Sequence, residues 1–473
     1  MSNIDLEKNF AVIESLMKKE GVPALNITAF KYYYTQLVRG ETGLISEKEI
    51  GEVGDLPDLE CMSDQSTVGK ENVKRAVIIK LNGGLGTSMG LDAAKTLLPA
   101  KGKYTFFDII IRQVLELRKS FDCNLPVIFM NSFRTEQDTL NALKEYPEFA
   151  EGQNGIPVSF VQGKIPKIRQ DNLLPVTWEK DPSLAWCPPG HGDIYLSMLQ
   201  TGILDNLLKL GYRYAFISNS DNLGAVIDLN ILGFFADKNT PFMMEVADRT
   251  AADHKGGHLA RTREGSLLLR ESAQCPSDEQ EAFQDISKYK YFNTNSLWVN
   301  LEALSKLLSK NENMLPLPLM RNAKTVDPLD ESSPKVYQLE TAMGAAILNF
   351  SGSMALRVPR SRFAPIKKNE DLLALWSDIF YLNQSFHVCR EDRRRHSEIV
   401  IDLDPQYYKS IASFKERFVH GVPSLLDCRT LKIKGDVAFG ENVVLKGDVV
   451  INNSSGSQKL IPANCVIEGE YNF

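Results

Sequence analysis

This chain has no Cys-x-x-Cys pair, no His-Glu-x-x-His motif, no long apolar run and no excess of positive charge. Each absence excludes a class. The seven cysteines (Cys61, Cys123, Cys187, Cys275, Cys389, Cys428, Cys465) are odd in number and scattered, which argues against a disulfide framework and a structural zinc site. The six histidines show no metal-ligand spacing. A net charge of −6 supplies no basic field for nucleic acid. An anionic small substrate must therefore be met by local lysines and backbone amides. No stretch reaches the ~20 apolar residues that span a bilayer. The N-terminal Met-Ser-Asn-Ile-Asp-Leu-Glu-Lys has neither the basic nor the apolar region of a secretory leader. These features predict a cytoplasmic protein with no membrane and no nucleic-acid partner. Its 473 residues, 43% hydrophobic and 24% charged, are ordinary for a globular chain and allow two or three domains.

Residues 1–45 read as helical, because Phe10, Ile13, Met17 and then Phe30, Tyr33, Leu37 recur at helical spacing. Residues 51–70 are acidic and read as a connector. Beyond them, apolar runs alternate with helical stretches. The runs are Ala76–Ile79, Val127–Met130, Val158–Gln162, Tyr214–Ser218, Phe242–Val246, Leu267–Leu269 and Ser296–Val299, and 108–118 is an amphipathic helix. This alternation predicts an α/β fold with a mostly parallel sheet covered on both faces, with ligands at the carboxyl ends of the strands. The predicted boundaries are 1–45 for an N-terminal helical segment, 46–380 for the catalytic domain and 381–473 for a C-terminal β-helix domain. In that last part Leu431-Lys-Ile-Lys-Gly-Asp-Val437 recurs as Val443-Val-Leu-Lys-Gly-Asp-Val449, twelve residues on, with Phe439 matched to Ile451 and a partial third copy at Ile467-Glu-Gly469. A fixed repeat with glycine turns predicts a small solenoid, whose exposed ends leave self-association open. Asp392-Arg-Arg-Arg-His396 reads as a solvated charge run.

The most informative segment is 76–98. An apolar β-branched run feeds Leu81-Asn-Gly-Gly-Leu-Gly-Thr87, and Lys95 follows. Glycines let a backbone turn approach a phosphate chain, and the lysine sets a cation behind it. A P-loop would need Gly-Lys-Ser/Thr, and a dinucleotide fingerprint would need glycine where Met89 stands. Both fail, and a dehydrogenase reading fails with the second. The pattern Leu-x-Gly-Gly-x-Gly-Thr with a following lysine is that of sugar-nucleotide pyrophosphorylases.

Further segments add to it: Cys187-Pro-Pro-Gly-His-Gly-Asp-Ile-Tyr195, Ser218-Asn-Ser-Asp-Asn-Leu-Gly-Ala225, Lys255-Gly-Gly-His-Leu-Ala-Arg261, Phe292-Asn-Thr-Asn295, Tyr337-Gln-Leu-Glu-Thr-Ala-Met-Gly344 and Pro359-Arg-Ser-Arg-Phe-Ala-Pro365. Together with Leu81–Gly90 they resemble the eukaryotic-type UDP-glucose pyrophosphorylase family, over nearly the whole chain after about residue 40. Ser88 stands where the related N-acetylhexosamine enzymes usually carry arginine, which favours glucose. A UDP-sugar pyrophosphorylase of broader or N-acetylhexosamine specificity is the enzymatic alternative, and a sugar-nucleotide-binding regulator the non-enzymatic one.

The resemblance implies a nucleotidyltransferase-type, Rossmann-like mixed sheet covered by helices, with a left-handed β-helix at the C-terminus. It implies uridylyl transfer from UTP to glucose 1-phosphate, giving UDP-glucose and pyrophosphate, with Mg²⁺ as cofactor. Lys95 and Lys367 are the catalytic candidates, although Lys368 lies beside the second. Leu81, Asn82, Gly83, Gly84, Gly86, Thr87, Gln162 and Gly190 are expected at the nucleotide. Gln162 could read the uracil edge with one donor and one acceptor. His191, Asn219, Asp221, Gly257, Glu271 and Asn293 are expected at the substrates, His191 as a hydrogen-bond donor to the sugar phosphate. Asp221, just past a predicted strand end, is the metal candidate, since Mg²⁺ prefers one or two carboxylates plus phosphate oxygens. Arg360 and Arg362 are open between phosphate binding and structure, and Glu340 between a supporting role and a helix face.

Overall fold

Ala-Val-Ile-Ile at 76–79 has no polar side to offer water, and it becomes the middle of a mixed sheet. The computed structural model describes residues 5–473 apart from positions 87, 88, 92, 152, 251, 252, 254, 255, 395, 397 and 398. The expectations for Thr87, Ser88, Lys255 and Arg395 thus lie outside the described residues. The central strands are β1 (Ile50–Gly51), β2 (Ala76–Asn82), β3 (Val127–Asn131), β4 (Ser159–Val161), β5 (Tyr214–Asn219), β6 (Phe242–Asp248), β7 (His258–Thr262), β8 (Leu267–Arg270), β9 (Tyr291–Asn300) and β10 (Met354–Arg357). Their order is β1-β7-β9-β5-β2-β3-β4, with β6 paired to β9 and β10, and β8 to β7. Side chains alternate across a strand. Ala76 and Ile78 of β2 therefore enter the apolar core shared with helix Phe106–Phe121, and Val77 and Ile79 enter the one shared with helices Ile194–Gln200 and Ile203–Lys209.

The expected mostly parallel sheet is only half of what forms. β4, β3, β2 and β5 are parallel. β9 runs against β5 and β6, and β7 against β9 and β8. The strand expected at Ser296–Val299 is ten residues long. It begins at Tyr291, Asn293 pairs with Val246, and Thr294 and Asn295 form the bulge at the register shift opposite Glu245/Val246, with Asn295 at φ +55°. This extension carries Asn293 to the carboxyl ends of the parallel strands. The helix expected at 108–118 starts earlier, at Phe106. Thr105 Oγ1 accepts from the Asp108 N–H (3.1 Å), and the Thr105 N–H donates to the Asp108 carboxylate (2.8 Å), a reciprocal cap for the first turn.

The N-terminal helices form as expected, at Leu6–Lys19 and Ala24–Val38. They bury Phe10, Ile13, Met17, Phe30, Tyr34 and Leu37, while Tyr33 is half-buried and accepts from the Leu317 N–H (3.2 Å). No helix among the described residues is long and apolar enough to cross a membrane.

At the C-terminus β11 (Val400–Leu403), β12 (Ser424–Lys434), β13 (Val444–Asn452) and β14 (Val466–Asn472) stack as a parallel sheet. The twelve-residue repeat is not the coil. Leu431 lies beside Val449 and Ile433 beside Ile451, eighteen residues on, and Phe439 pairs with Ile461 rather than Ile451. The two Lys-Gly-Asp copies do different work. Gly435 (φ +82°) turns the chain out of β12, whereas Gly447 (φ +65°) sits inside β13, where the register slips. The same three letters thus serve a corner and a bulge. The charge run is not wholly solvated either. Arg394 is buried, and its guanidinium donates to the carbonyls of Leu425, Leu426 and Cys428. One apolar core runs without a break from β2 and helix Phe106–Phe121 into these coils, so packing crosses the boundary expected at 380/381.

Candidate functional site

The parallel strands end together at Asn82, Asn131, Val161 and Asn219, and the candidate residues leave from these ends. Asn82 is occupied internally. Its amide donates to Asn131 Oδ1 (3.0 Å) and Thr139 Oγ1 (2.8 Å), and its oxygen accepts from Thr96 Oγ1 (2.9 Å) and Ser220 Oγ (3.3 Å). Three hydrogen-bonding positions are firmly filled and the fourth shares the one Ser220 hydroxyl proton with Leu81 O, so the side chain fixes the loops. Leu81 acts likewise, its carbonyl accepting from the Ser220 hydroxyl (2.6 Å). A Cβ on Gly83 would lie 2.2 Å from Gln162 Nε2, so any side chain there would displace the Gln162 amide. Gly84 has open space around it. The turn closes on itself, with the Gly86 N–H on Ala93 O (3.4 Å) and the Lys95 N–H on Gly84 O (3.3 Å). The Gly86 amide becomes available to a phosphate only when the first of these opens.

Lys95 and Asp221 meet here. Their Nζ–Oδ2 distance is 2.7 Å, and the side chains are only 18% and 21% exposed. The other carboxylate oxygen of Asp221 is buried and has no hydrogen-bond partner. A buried carboxylate oxygen without a donor calls for a cation. Among the described residues no group of three His, Cys, Asp or Glu side chains could hold a metal. A single carboxylate completed by substrate phosphates is the pattern that suits Mg²⁺. Asn219 sits half-buried at the end of β5, two residues away.

Lys367 arrives from another direction. Segment 360–368 is sewn to the 219–225 turn. Asn222 donates to Arg362 O (3.0 Å) and accepts from the Ala364 N–H (3.1 Å), and the Ile366 N–H donates to Asp221 O (3.3 Å). Arg362 is structural. It forms a two-pronged pair with the fully buried Glu245 at 2.8 Å on each arm. Arg360 pairs with Asp253 (2.8 Å). Lys367 places its ammonium over the Phe292 ring, 5.8 Å from the centroid, where its charge partly offsets the burial that raises the Glu271 carboxyl. Lys368 precedes helix Asn369–Trp376 as its N-cap residue. Lys101 Nζ takes the carbonyls of Leu375, Trp376 and Ser377 at the other end of that helix, where a cation suits the dipole. Lys101 thereby ties the hairpin after Lys95 to the helix after Lys367.

Gly190 and His191 are held by the turn at 340–343. Gly190 has φ +84°, and a Cβ there would come within 2.5 Å of Thr341 O and 3.1 Å of Glu340 Cβ. The Gly192 N–H donates to Thr341 O (2.8 Å), and the Thr341 N–H to Pro189 O (3.0 Å). The Met343 N–H donates to His191 Nδ1 (3.0 Å), which leaves the ring proton on Nε2. Burial pushes this imidazole down to about 4. His191 is therefore a neutral donor near pH 7. We expect kcat/KM to show no acid limb near the ordinary imidazole value of about 6.5. A limb there that disappears in His191→Gln would make the imidazolium the working form.

His258, wholly buried and stacked on Tyr289 at 3.9 Å, is pushed down to about 3, by burial first. The unfolded chain protonates both histidines near pH 6.5, the folded chain only well below it. Their contribution to stability is thus present above about pH 6.5 and is lost progressively as pH falls from there through the folded values of about 4 and about 3. Thermal melts between about pH 7 and 5 should show this loss, and His258→Phe should flatten it.

The third group closes around a glycine. A Cβ on Gly257 would lie 2.5 Å from Glu271 Oε2, and the Asn293 N–H donates to Gly257 O (3.0 Å). Glu271 is raised by burial. Gly344 passes so close that its Cβ would meet Asn293 Nδ2 at 3.3 Å, so the 341–344 turn joins this pocket to His191. The buried Asn293 amide, the half-buried Glu271 carboxylate and bare backbone at Gly257 suit the hydroxyls of a hexose. Gly257→Ala pushes the Glu271 carboxylate aside. The KM for the sugar phosphate should rise about ten-fold or more, with nucleotide affinity unchanged. Equal losses for both substrates would remove Gly257 and Glu271 from the sugar pocket.

Two residues escaped the sequence reading. Lys80 is buried within β2, its Nζ on Ser218 Oγ (2.9 Å) and Ala225 O (2.8 Å). Glu245 lies fully buried in β6. The available signal was a charge inside a run that otherwise reads as a buried strand.

The model of the family described as UTP–glucose-1-phosphate uridylyltransferase matches residues 27–446. The barley (Hordeum vulgare) enzyme of that name is 39% identical over 406 residues, 85% of this chain and 82% of its own. A probable UTP–glucose-1-phosphate uridylyltransferase of Schizosaccharomyces pombe is 36% identical over 422 residues, 88% of this chain and 81% of its own. Among solved structures, a point mutant of UDP-glucose pyrophosphorylase from Leishmania major in complex with UDP-glucose superposes with a TM-score of 0.92, at 41% identity and 99% coverage of both chains. The Trypanosoma brucei UDP-glucose phosphorylase superposes with a TM-score of 0.90, at 42% identity, covering 98% of this chain and all of that one. The chain belongs to the UTP–glucose-1-phosphate uridylyltransferase family.

Proposed function

We propose that the protein transfers the uridylyl group of UTP to glucose 1-phosphate, releasing pyrophosphate and UDP-glucose, with residues 46–380 carrying the chemistry. The observation that carries the reading is the Lys95–Asp221 pair at the strand ends, with a carboxylate oxygen left unpartnered beside a glycine turn. A phosphate oxygen of glucose 1-phosphate attacks the α-phosphorus of UTP in line. One P–O bond forms, the α–β bridging P–O bond breaks, and its electron pair leaves with pyrophosphate. The nucleophile is already anionic, so no base is required. The difficulty is bringing two polyanions together.

Each side chain answers part of that. Lys95 leaves Asp221 for the nucleotide phosphates. Lys367, on the opposite bank, meets the sugar phosphate. His191 donates its Nε2 proton to a phosphate oxygen and stays neutral. Gln162 and the Gly190 backbone hold the base, the 83–86 turn and Asn219 the rest of the nucleotide, and Glu271 and Asn293 the hexose hydroxyls. Mg²⁺, held by Asp221, would neutralise charge on the phosphates. Seven cysteines without a disulfide support the reducing cytoplasm as its compartment.

The test is pyrophosphate release from UTP and Mg²⁺ with glucose 1-phosphate, galactose 1-phosphate or N-acetylglucosamine 1-phosphate. We expect glucose 1-phosphate to be preferred by about ten-fold or more in kcat/KM. Equal use of several sugars would replace this reading by a broad UDP-sugar pyrophosphorylase. No release from folded protein that binds UTP would leave a regulator.

A further inference from the structure

Lys80 is the penultimate inward-facing residue of β2, on the same face as Ala76 and Ile78, and is only 3% exposed. An apolar side chain would fit the strand pattern, and burying an ammonium costs solvation. Its contacts show what it does. Ser218, the last-but-one residue of β5, receives one hydrogen bond, and Ala225, where the following turn re-enters the core, receives the other. Residues 219–224 lie between these two anchors, with Asp221 near the middle. One ammonium therefore clamps the base of the turn that carries Asp221. The next carbonyl, Val226 O, is taken by Arg362 Nη2 (2.9 Å). The exit of the turn is thus gripped by two cations from two different elements.

We propose that Lys80 is a positioning residue for Asp221, holding the 219–224 turn so that the free carboxylate oxygen faces the metal–phosphate position. It touches neither substrate nor Asp221. The inference rests on the reading of Asp221 as the metal-holding carboxylate, and Asp221→Asn tests that reading by itself. Lys80→Met keeps the length and volume of the side chain and removes the clamp.

Three measurements decide the matter. Without ligands, the amides of Ser220, Asn222 and Ala225 should exchange with deuterated water about ten-fold faster in Lys80→Met, with amides of β3 unchanged. The Mg²⁺ concentration for half-maximal rate should rise about ten-fold, and the KM for glucose 1-phosphate should stay within about two-fold. The melting temperature should stay within a few degrees of the wild type, because relief of the buried ammonium's desolvation offsets the loss of the two hydrogen bonds to Ser218 and Ala225. Faster exchange together with a raised Mg²⁺ requirement supports the proposal. Unchanged exchange, or an unchanged Mg²⁺ requirement, overturns it. If Lys80→Met does not fold, Ser218→Ala removes one anchor alone, and the same pair of readouts decides. If Asp221→Asn leaves the Mg²⁺ requirement unaltered, the reading of Asp221 fails first.

Discussion

Lys95→Ala should lower kcat about 100- to 1,000-fold at saturating substrates, the range found when one preorganised donor to transition-state charge is removed. The pair geometry explains why so much hangs on one side chain. In the free protein the ammonium is 2.7 Å from Asp221, so each neutralises the other. When UTP arrives the lysine must exchange that partner for phosphate. Without it the phosphates keep charge that the ammonium would have neutralised, and the Mg²⁺ requirement should rise alongside the loss in kcat. Arginine should rescue poorly, since a planar fork cannot replace a compact ammonium in a site closed on one side by the glycine turn. Pyrophosphate release followed in a single-turnover experiment measures the effect. A kcat within about three-fold of wild type would remove Lys95 from the chemistry.

Arg362→Leu should have the largest effect on stability. The guanidinium is 11% exposed, its partner Glu245 is wholly buried, and Glu245 also accepts from Trp298 Nε1 (2.9 Å). Removing the arginine strands a carboxylate in the core, which costs about 3–5 kcal/mol. For a chain of this size the melting temperature should fall by about 3–5 °C. The double variant Glu245→Leu/Arg362→Leu removes the stranded charge as well and should recover much of the loss. The single variant should also weaken catalysis, because segment 360–368 delivers Lys367 and is sewn to the Asp221 turn. If single and double variants melt alike, the pair is not what holds this segment.

Local signals in the chain fixed a good deal. The β-branched run, the glycine turn and the lysine behind it specified a strand, a tight turn and a cation beside it, because those residue types have few other uses together. The amphipathic helix at 106–121 and both N-terminal helices were legible from spacing, since a helix must bury one stripe. What the sequence could not specify were relations between distant segments. The polar stretch 293–295 of β9 looks like loop until a bulge against β6 turns it into strand and carries Asn293 to Gly257. The Lys-Gly-Asp repeat looked like a coil period, but packing sets the period, and Ile433 finds Ile451 eighteen residues away. Nothing local tells Asn82, whose side chain is spent on neighbouring loops, from the glycines that follow it. Nor does the sequence distinguish Lys367 from Lys368, which only the path of the chain into helix Asn369–Trp376 separates. Which chemistry the chain can perform was written in its residue types. Which atoms stand within reach of one another depended on a sheet register, a bulge and a buried ion pair, all of them contacts between residues far apart in the chain.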